Sequence, residues 1–281
     1  MSEKNLDYWV HDLSPFLLEF PENPLGLDGI RFYGLSYLLG FLFTWLFLYY
    51  SDKKSKFPMQ AKERSDFMTY TILGVLIGGR LGYMLFYDLN DFIANPLLFF
   101  RIDQGGMASH GGIIGVLLVT FLFAKLRNYN PWSLGDCLVS IAPLGIMLGR
   151  IANFINGELW GKITNAPWAV LFPNSPTSYS ELTGYYGIQP RHPSQIYASF
   201  SEGFIPLMYL QYRFWFTQYS AGQLIGEFLI LYSTLRIFNE LFRAADASLI
   251  MGISRGQFYS LFLLGLGLII YFKRKSYTKR F

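Results

Sequence analysis

Residues 134–155 read LGDCLVSIAPLGIMLGRIANFI, and only Asp136 and Arg150 in that stretch carry charge. As a helix, about 18 or more mainly apolar residues cross a hydrocarbon core of ~30 Å. Six further runs share this character, at 32–50, 67–87, 110–124, 195–216, 223–242 and 257–272. The third is short, and Glu202 and Pro206 interrupt the fifth. Only 15% of the chain is charged, where a soluble domain carries about 25%. The pattern predicts an all-α polytopic membrane protein of about seven transmembrane helices, with residues 1–281 forming one integral membrane domain.

Orientation follows from the connections, because Lys and Arg are enriched on the cytoplasmic side. With the N-terminus outside, the inner segments hold Lys53, Lys54, Lys56, Lys62, Arg64, Lys125, Arg127, Arg213, Lys273, Arg274, Lys275, Lys279 and Arg280. The outer segments hold Lys4, Arg31, Arg101, Lys162, Arg191, Arg243 and Arg255. Thirteen against seven favours N-out and C-in, which agrees with seven spans. The net charge of +4 then reads as topology and attraction to anionic lipid heads, and nothing resembles a nucleic-acid module. Residues 1–29 hold charges and prolines where a signal peptide needs an apolar core, so no cleavable leader is expected. The longest connection, 156–192, is rich in Pro, Gly, Asn and aromatic residues. It is expected to fold as a small periplasmic cap between spans four and five.

Arg80, Arg150 and Arg236 lie within or at the ends of these runs. An arginine at a lone helix's centre costs ~2.5–3.5 kcal/mol or more to insert, so three of them imply a polar interior. Arg80 follows Gly74 and Gly78 and precedes Gly82, a four-residue spacing that lets another helix approach closely. It could be a structural tie to Asp88 or a carbonyl, or it could meet a lipid head group. Arg150 opens GRIANFINGELWG and shares a helical side with Asn153 and Gly157; the alternative is an arginine that snorkels to the interface. Tyr232, Arg236, Glu240 and Arg243 recur as one stripe along the sixth run, although Arg236 and Glu240 could simply neutralise each other.

His110 stands among glycines in GGMASHGG, and its imidazole, with an ordinary pKa of ~6.5, suits proton transfer near neutrality. It could equally cap a helix. His192, before Pro193, reads as a helix-start residue. Tyr33 is either an interfacial aromatic or a polar group at the outer end of the first span. The single cysteine, Cys137, lies at the cytoplasmic end of its span and permits neither an internal disulfide nor a CxxC site. There is no HExxH spacing and no glycine-rich nucleotide loop, so no metal and no cofactor are implied. A transporter would also place arginines and carboxylates in its spans, but it should show an inverted repeat and polar groups reaching both faces.

Five stretches, GGRLGYMLFYD, GGMASHGG, GRIANFINGELWG, QPRHPSQIYA and RIFNELFR, resemble in order and topology the bacterial prolipoprotein diacylglyceryl transferases. The resemblance runs from about Tyr33 to Arg243. It implies transfer of a diacylglyceryl group from phosphatidylglycerol to the lipobox cysteine thiol of a prolipoprotein signal peptide, with release of glycerol phosphate. It also implies a multi-pass protein of the bacterial inner membrane, lying in the lipid bilayer with its active site toward the outer leaflet. By motif position, Arg150 is the lipid-binding arginine, Asn153 and Glu158 its polar companions, and Gly161 the closing glycine. His110, Tyr33, Arg236 and Glu240 match positions important to activity. Two departures are Ala198, where the family usually has glutamate, and Ala152, where it commonly has glycine. Glu202 lies one helical turn beyond Ala198.

The implied chemistry needs a proton acceptor for the thiol, because the thiolate is the nucleophile and a free thiol has a pKa of ~8.5. It also needs cations for the phosphate, and arginine's planar fork binds phosphate by paired charge-assisted hydrogen bonds. Arg150 is therefore expected on the head group, together with Arg80 if that residue is not a structural tie. Arg236 is expected at the leaving oxygen, and His110 as base with Tyr33 as an alternative relay. An arginine cluster could also lower the thiol pKa without a dedicated base.

Overall fold

The computed structural model describes residues 8–21, 28–101, 106–244 and 249–275. The side chains of Ser109 and His110 lie outside that description, as do Lys4, Lys279 and Arg280 of the charge count. The chain groups into two compact units, Met1–Gly40 with Val139–Phe281, and Phe41–Leu138.

In the Phe41–Leu138 unit the main elements are α2 (Ala61–Tyr87) and α4 (Ser109–Leu126), with α3 (Leu89–Ala94) and a 3-10 turn (Pro96–Phe100) between them. α1 (Phe32–Lys53) ends in this unit, and α5 (Pro131–Val139) closes it. Glycine lets α2 and α4 meet backbone to backbone: a Cβ on Gly82 would lie 2.8 Å from Gly111 Cα, and one on Gly78 would collide with Gly111 O. This is the small-residue packing that joins helices where no hydrophobic effect drives them together. The interhelical end of α2 is pinned by charge. Arg64 pairs with Asp52 at 3.4 Å and lies over the Trp45 and Tyr49 rings, while Arg127 pairs with Asp66 at 2.9 Å.

The other unit holds α6 (Ala142–Ile155) and α7 (Ser194–Ala198), which runs through a π-helical turn (Ser199–Phe204) into α8 (Ile205–Phe216). α9 (Gln223–Asn239) and α10 (Arg255–Lys275) complete its helices. α9 and α10 are antiparallel, with Gly226 against Tyr271 at one end and Gly256 against Glu240 at the other. Among the described residues, four helical segments are long and apolar enough to cross a membrane: Phe32–Lys53, Ala61–Tyr87, Pro131–Ile155 and Arg255–Lys275. Their apolar side chains are widely exposed, Leu38, Leu42, Leu73, Ile77, Phe262 and Ile269 among them. A water-soluble surface avoids apolar patches of that extent, and the chain is read as membrane-embedded.

One expectation changes, and a second is met in part. The described residues contain seven short strands, so the architecture is mostly rather than wholly helical. β1 (Trp9–Val10), β4 (Val170–Leu171) and β7 (Pro190–Arg191) form one sheet in the order β1-β4-β7. β2 (Phe16–Glu19) pairs with β3 (Gly29–Arg31), and β5 (Thr177–Ser180) with β6 (Tyr185–Ile188). Strands of two to four residues are too short to show alternation, and Trp9 finds its partner Val170 from the far side of the sequence. Of the seven expected spans, four segments meet length and hydropathy among the described residues. The described apolar part of α4 is only Gly111–Leu126, α9 has 17 residues and carries Glu227 and Arg236, and the fifth run is divided among α7, the π turn and α8.

Candidate functional site

The stretch that carries Arg150 is built to stop a helix. α6 ends at Ile155, and Gly157 takes the left-handed conformation at φ +64°. Gly157 N then donates to Phe154 O at 2.9 Å, and Glu158 N donates to Asn153 O at 3.1 Å. These are the two bonds of a Schellman cap, which satisfies the last carbonyls of the helix. His11 closes the turn from β1: its Nε2 lies 2.7 Å from Phe154 O, and its ring fills the space beside Gly157. Leu159 also has a positive φ, +59°, a strained conformation for a γ-branched residue of the kind that collects at functional sites. The turn presents Glu158 O to Gln195 Nε2 at 2.6 Å and Leu159 O to Ser194 Oγ at 3.2 Å. The end of α6 and the start of α7 are thereby locked together.

Glu202 is the centre of the charge arrangement. Its carboxylate is fully buried in the π turn. Oε2 accepts from Arg150 Nη2 at 3.0 Å, and Oε1 accepts from Arg236 Nη1 and Asn239 Nδ2, each at 3.1 Å. The side chains of Arg150 and Arg236 are 17% and 12% exposed, so both are nearly sequestered yet open on one side. A π turn inserts an extra residue per turn and is frequent at functional sites. Here Gly203 lets the turn lie against Met147 of α6, where a Cβ would come within 2.6 Å of the Met147 Cβ. Ser199 Oγ adds a bond to Met147 O at 3.1 Å.

These residues surround a small, partly open pocket lined by Arg150, Leu159, Gln195, Arg236, Asn239 and Arg243, with Ser194 and Ala198 at its wall. The combination of guanidinium groups, an orienting carboxylate and apolar surroundings can hold a phosphate and stabilise charge that grows on it.

The sequence-predicted residues divide among these features. Arg150 and Arg236 line the pocket. Glu240 caps α9 and pairs with Arg236, and Arg243 lies beyond the helix on a bridge to Gly161. Asn153 is buried and donates to Glu158 Oε1 at 2.8 Å, with Asn156 joining at 3.3 Å, so this trio braces the cap beneath Arg150. Gly161 sits where strands converge: its N donates to His192 O at 3.0 Å, and its carbonyl accepts from Arg191 Nη1 at 3.2 Å. Any side chain there would meet His192 O at 2.5 Å and Phe242 O at 2.7 Å.

Tyr33 is partly exposed at the start of α1 and packs edge-on against Tyr37 at 5.5 Å. Arg80 belongs to the Phe41–Leu138 unit, where its guanidinium donates to the carbonyls of Leu98, Phe99, Arg101 and Gly106 and so ties the α2–α4 connection. His110 is also in that unit, in the first turn of α4. Cys137 is fully buried. Among the described residues, no cluster of three His, Cys, Asp or Glu side chains could hold a metal.

In the sequence Glu202 reads only as an interruption of the fifth run, one helical turn past Ala198. The signal was present, since Glu202 is the only acidic residue between Gln195 and Phe216, and a buried carboxylate in an apolar helix needs a cationic partner. Gln195 and Asn239 gave no comparable signal.

At His192, beside this site, burial lowers the imidazole pKa. Its Nδ1 lies 3.2 Å from the Tyr197 hydroxyl, which also accepts from Trp168 Nε1 at 2.6 Å.

A sequence model of the family described as prolipoprotein diacylglyceryl transferase matches residues 24–273. Curated relatives named phosphatidylglycerol–prolipoprotein diacylglyceryl transferase align along most of the chain. The relative from Pseudoalteromonas translucida is 42% identical, covering 93% of this chain and 97% of its own. That from Proteus mirabilis is 40% identical over 90% and 92%, and that from Coxiella burnetii 40% identical over 86% and 90%.

Proposed function

The chain belongs to the prolipoprotein diacylglyceryl transferase family, and we propose that it runs the family's reaction at the Arg150–Glu202–Arg236 pocket. The reaction moves the diacylglyceryl group of phosphatidylglycerol to a prolipoprotein thiol. The thiol loses its proton, the sulfur bonds to the glyceryl carbon, and that carbon's bond to the phosphate oxygen breaks. The electron pair leaves with glycerol phosphate. The phosphate goes from a diester with one negative charge to a monoester with two. A site that binds the second charge better than the first accelerates the step.

The single observation that carries this reading is the shared carboxylate. Glu202 holds Arg150 and Arg236 from opposite oxygens, so two guanidinium groups are fixed before a phosphate arrives, and fixed donors need no reorganisation as charge develops. Arg150 binds the head-group phosphate and Arg236 faces the leaving oxygen, with Glu240 steadying Arg236. Asn153, Glu158 and Gly161 set the turn that carries Arg150. His110 is the proposed base and Tyr33 the proposed relay. Arg80 acts by ordering the α2–α4 connection.

The finer placement is also part of the proposal: seven spans in the bacterial inner membrane, N-out and C-in, residues 156–192 as a periplasmic cap on a single membrane domain, the pocket at the outer leaflet, and a lipobox cysteine as acceptor. The Lys and Arg distribution supports it.

The test is mass spectrometry of a lipobox peptide incubated with purified protein in phosphatidylglycerol vesicles. A diacylglyceryl mass gain is expected for wild type. Arg150→Lys keeps the charge but loses the fork and should cut transfer by on the order of 100-fold. Undiminished transfer by that variant would refute phosphate recognition by Arg150.

A further inference from the structure

Gln195 is the second residue of α7, is 2% exposed and lines the pocket. Its Nε2 donates to Glu158 O at 2.6 Å. A carbonyl only accepts, so this bond fixes which end of the amide is nitrogen. Oε1 is buried and has no hydrogen-bond partner. Three donors on the same pocket wall are turned to other acceptors: Ser194 Oγ to Leu159 O, Asn239 Nδ2 to Glu202 and Ser201 Oγ, and Arg150 Nη2 to Glu202. A buried acceptor without a donor is rare in a native structure and points to a partner that arrives with a ligand.

The ligand chemistry narrows the donor. A phosphodiester and two acyl esters offer only acceptors. The only donors on phosphatidylglycerol are the two hydroxyls of its terminal glycerol. The peptide substrate brings backbone N–H donors and a weakly donating thiol, but the guanidinium groups lining the same pocket favour the anionic lipid head beside Gln195. We propose that Gln195 Oε1 accepts a hydroxyl of the head-group glycerol and so forms a hydroxyl-reading subsite beside the phosphate; this rests on the reading of the pocket as the phosphate site. A lipid without that hydroxyl enters the pocket but leaves the amide oxygen buried and unpaired. Sites built to bond a substrate hydroxyl reject analogues that lack it more strongly than apolar sites reject an extra methylene.

The probe is phosphatidylpropanol, which keeps the phosphate, the three-carbon head and the acyl chains but has no hydroxyl. Transfer to a lipobox peptide is measured from vesicles of either lipid. Wild type should prefer phosphatidylglycerol in kcat/KM by at least ~10-fold. Gln195→Met has similar length and no amide oxygen, and it should bring that preference to within about 2-fold, chiefly by raising KM for phosphatidylglycerol. Equal use of both lipids by wild type overturns the proposal without any variant, which covers the case in which Gln195→Met does not fold. A Gln195→Met protein that keeps the wild-type preference, or loses both lipids equally, also overturns it and marks Gln195 as a packing residue. Failure of the phosphate reading looks different: the lipid preference would survive while Arg150→Lys transferred normally from both lipids, and the subsite would then lose its basis.

Discussion

Replacing Glu202 with Gln removes one charge from a fully buried position without changing its shape. The carboxylate takes three hydrogen bonds, two from guanidinium groups. An amide can still accept on one oxygen, but its NH2 then faces one arginine donor to donor. Charged hydrogen bonds are worth ~1.5–3 kcal/mol each, and removing one member of a buried ion pair costs ~3–5 kcal/mol because its partners stay buried. The expected stability loss is therefore about 3–5 kcal/mol, read as a lowered unfolding midpoint in micelles. Arg150 and Arg236 also lose their common anchor. If half of that loss appears in the transition state, at ~1.4 kcal/mol per factor of ten, transfer falls on the order of 10- to 100-fold. A double-mutant cycle with Arg150→Gln separates the two effects, because contacting residues couple by ~0.5–3 kcal/mol and independent ones do not. Turnover that is unchanged or raised in Glu202→Gln would refute the reasoning, since Glu202 would then compete with the phosphate for the arginines rather than hold them in place.

Gly161→Ala should lower stability by ~1–3 kcal/mol, because its Cβ would press on His192 O at 2.5 Å and Phe242 O at 2.7 Å; an unchanged unfolding midpoint would show that the strands there yield freely. Gly82→Leu should separate α2 from α4, where even a Cβ lies 2.8 Å from Gly111 Cα; the loss is read as a lower midpoint, and a wild-type midpoint contradicts the close packing. His192 gives a pH dependence with a definite sign. Burial lowers its folded pKa, so the unfolded chain takes up the proton first. That contribution to stability is intact above the unfolded value of ~6.5 and declines as pH falls below it, until the folded pKa is passed. Unfolding midpoints from pH 8 to 5 should show this decline in wild type and a shallower one in His192→Gln; identical slopes would contradict it.

The legible part of the fold is the part written in long apolar runs. α1, α2, the α5–α6 run and α10 follow from length and hydropathy alone. α8 and α9 were weaker signals for a physical reason: Glu202, Arg213, Glu227 and Arg236 serve internal ion pairs, and each polar residue given to a pair is lost to the hydrophobic pattern. The short strands leave no local trace because β1 pairs with β4 from a distant part of the chain. In the site, Arg150 and Arg236 stood out because arginine in an apolar run needs an explanation. Glu202 needs the same explanation, although in the sequence it looks like a break. Gln195 was illegible, because an uncharged amide announces itself only when one of its atoms is found buried without a partner. Arg80 stood out on the same grounds as Arg150, yet its donors go to backbone carbonyls; sequence cannot separate an arginine that orders a loop from one that meets a ligand.

The central claim is that Arg150 and Arg236, held by Glu202, receive the phosphate of phosphatidylglycerol. A structure determined with that lipid bound tests it most directly. Phosphate oxygens are expected within hydrogen-bond distance, ~3 Å, of both guanidinium groups, with the glycerol head toward Gln195. A phosphate bound away from Arg150 and Arg236, with the pocket empty in the same structure, would contradict it.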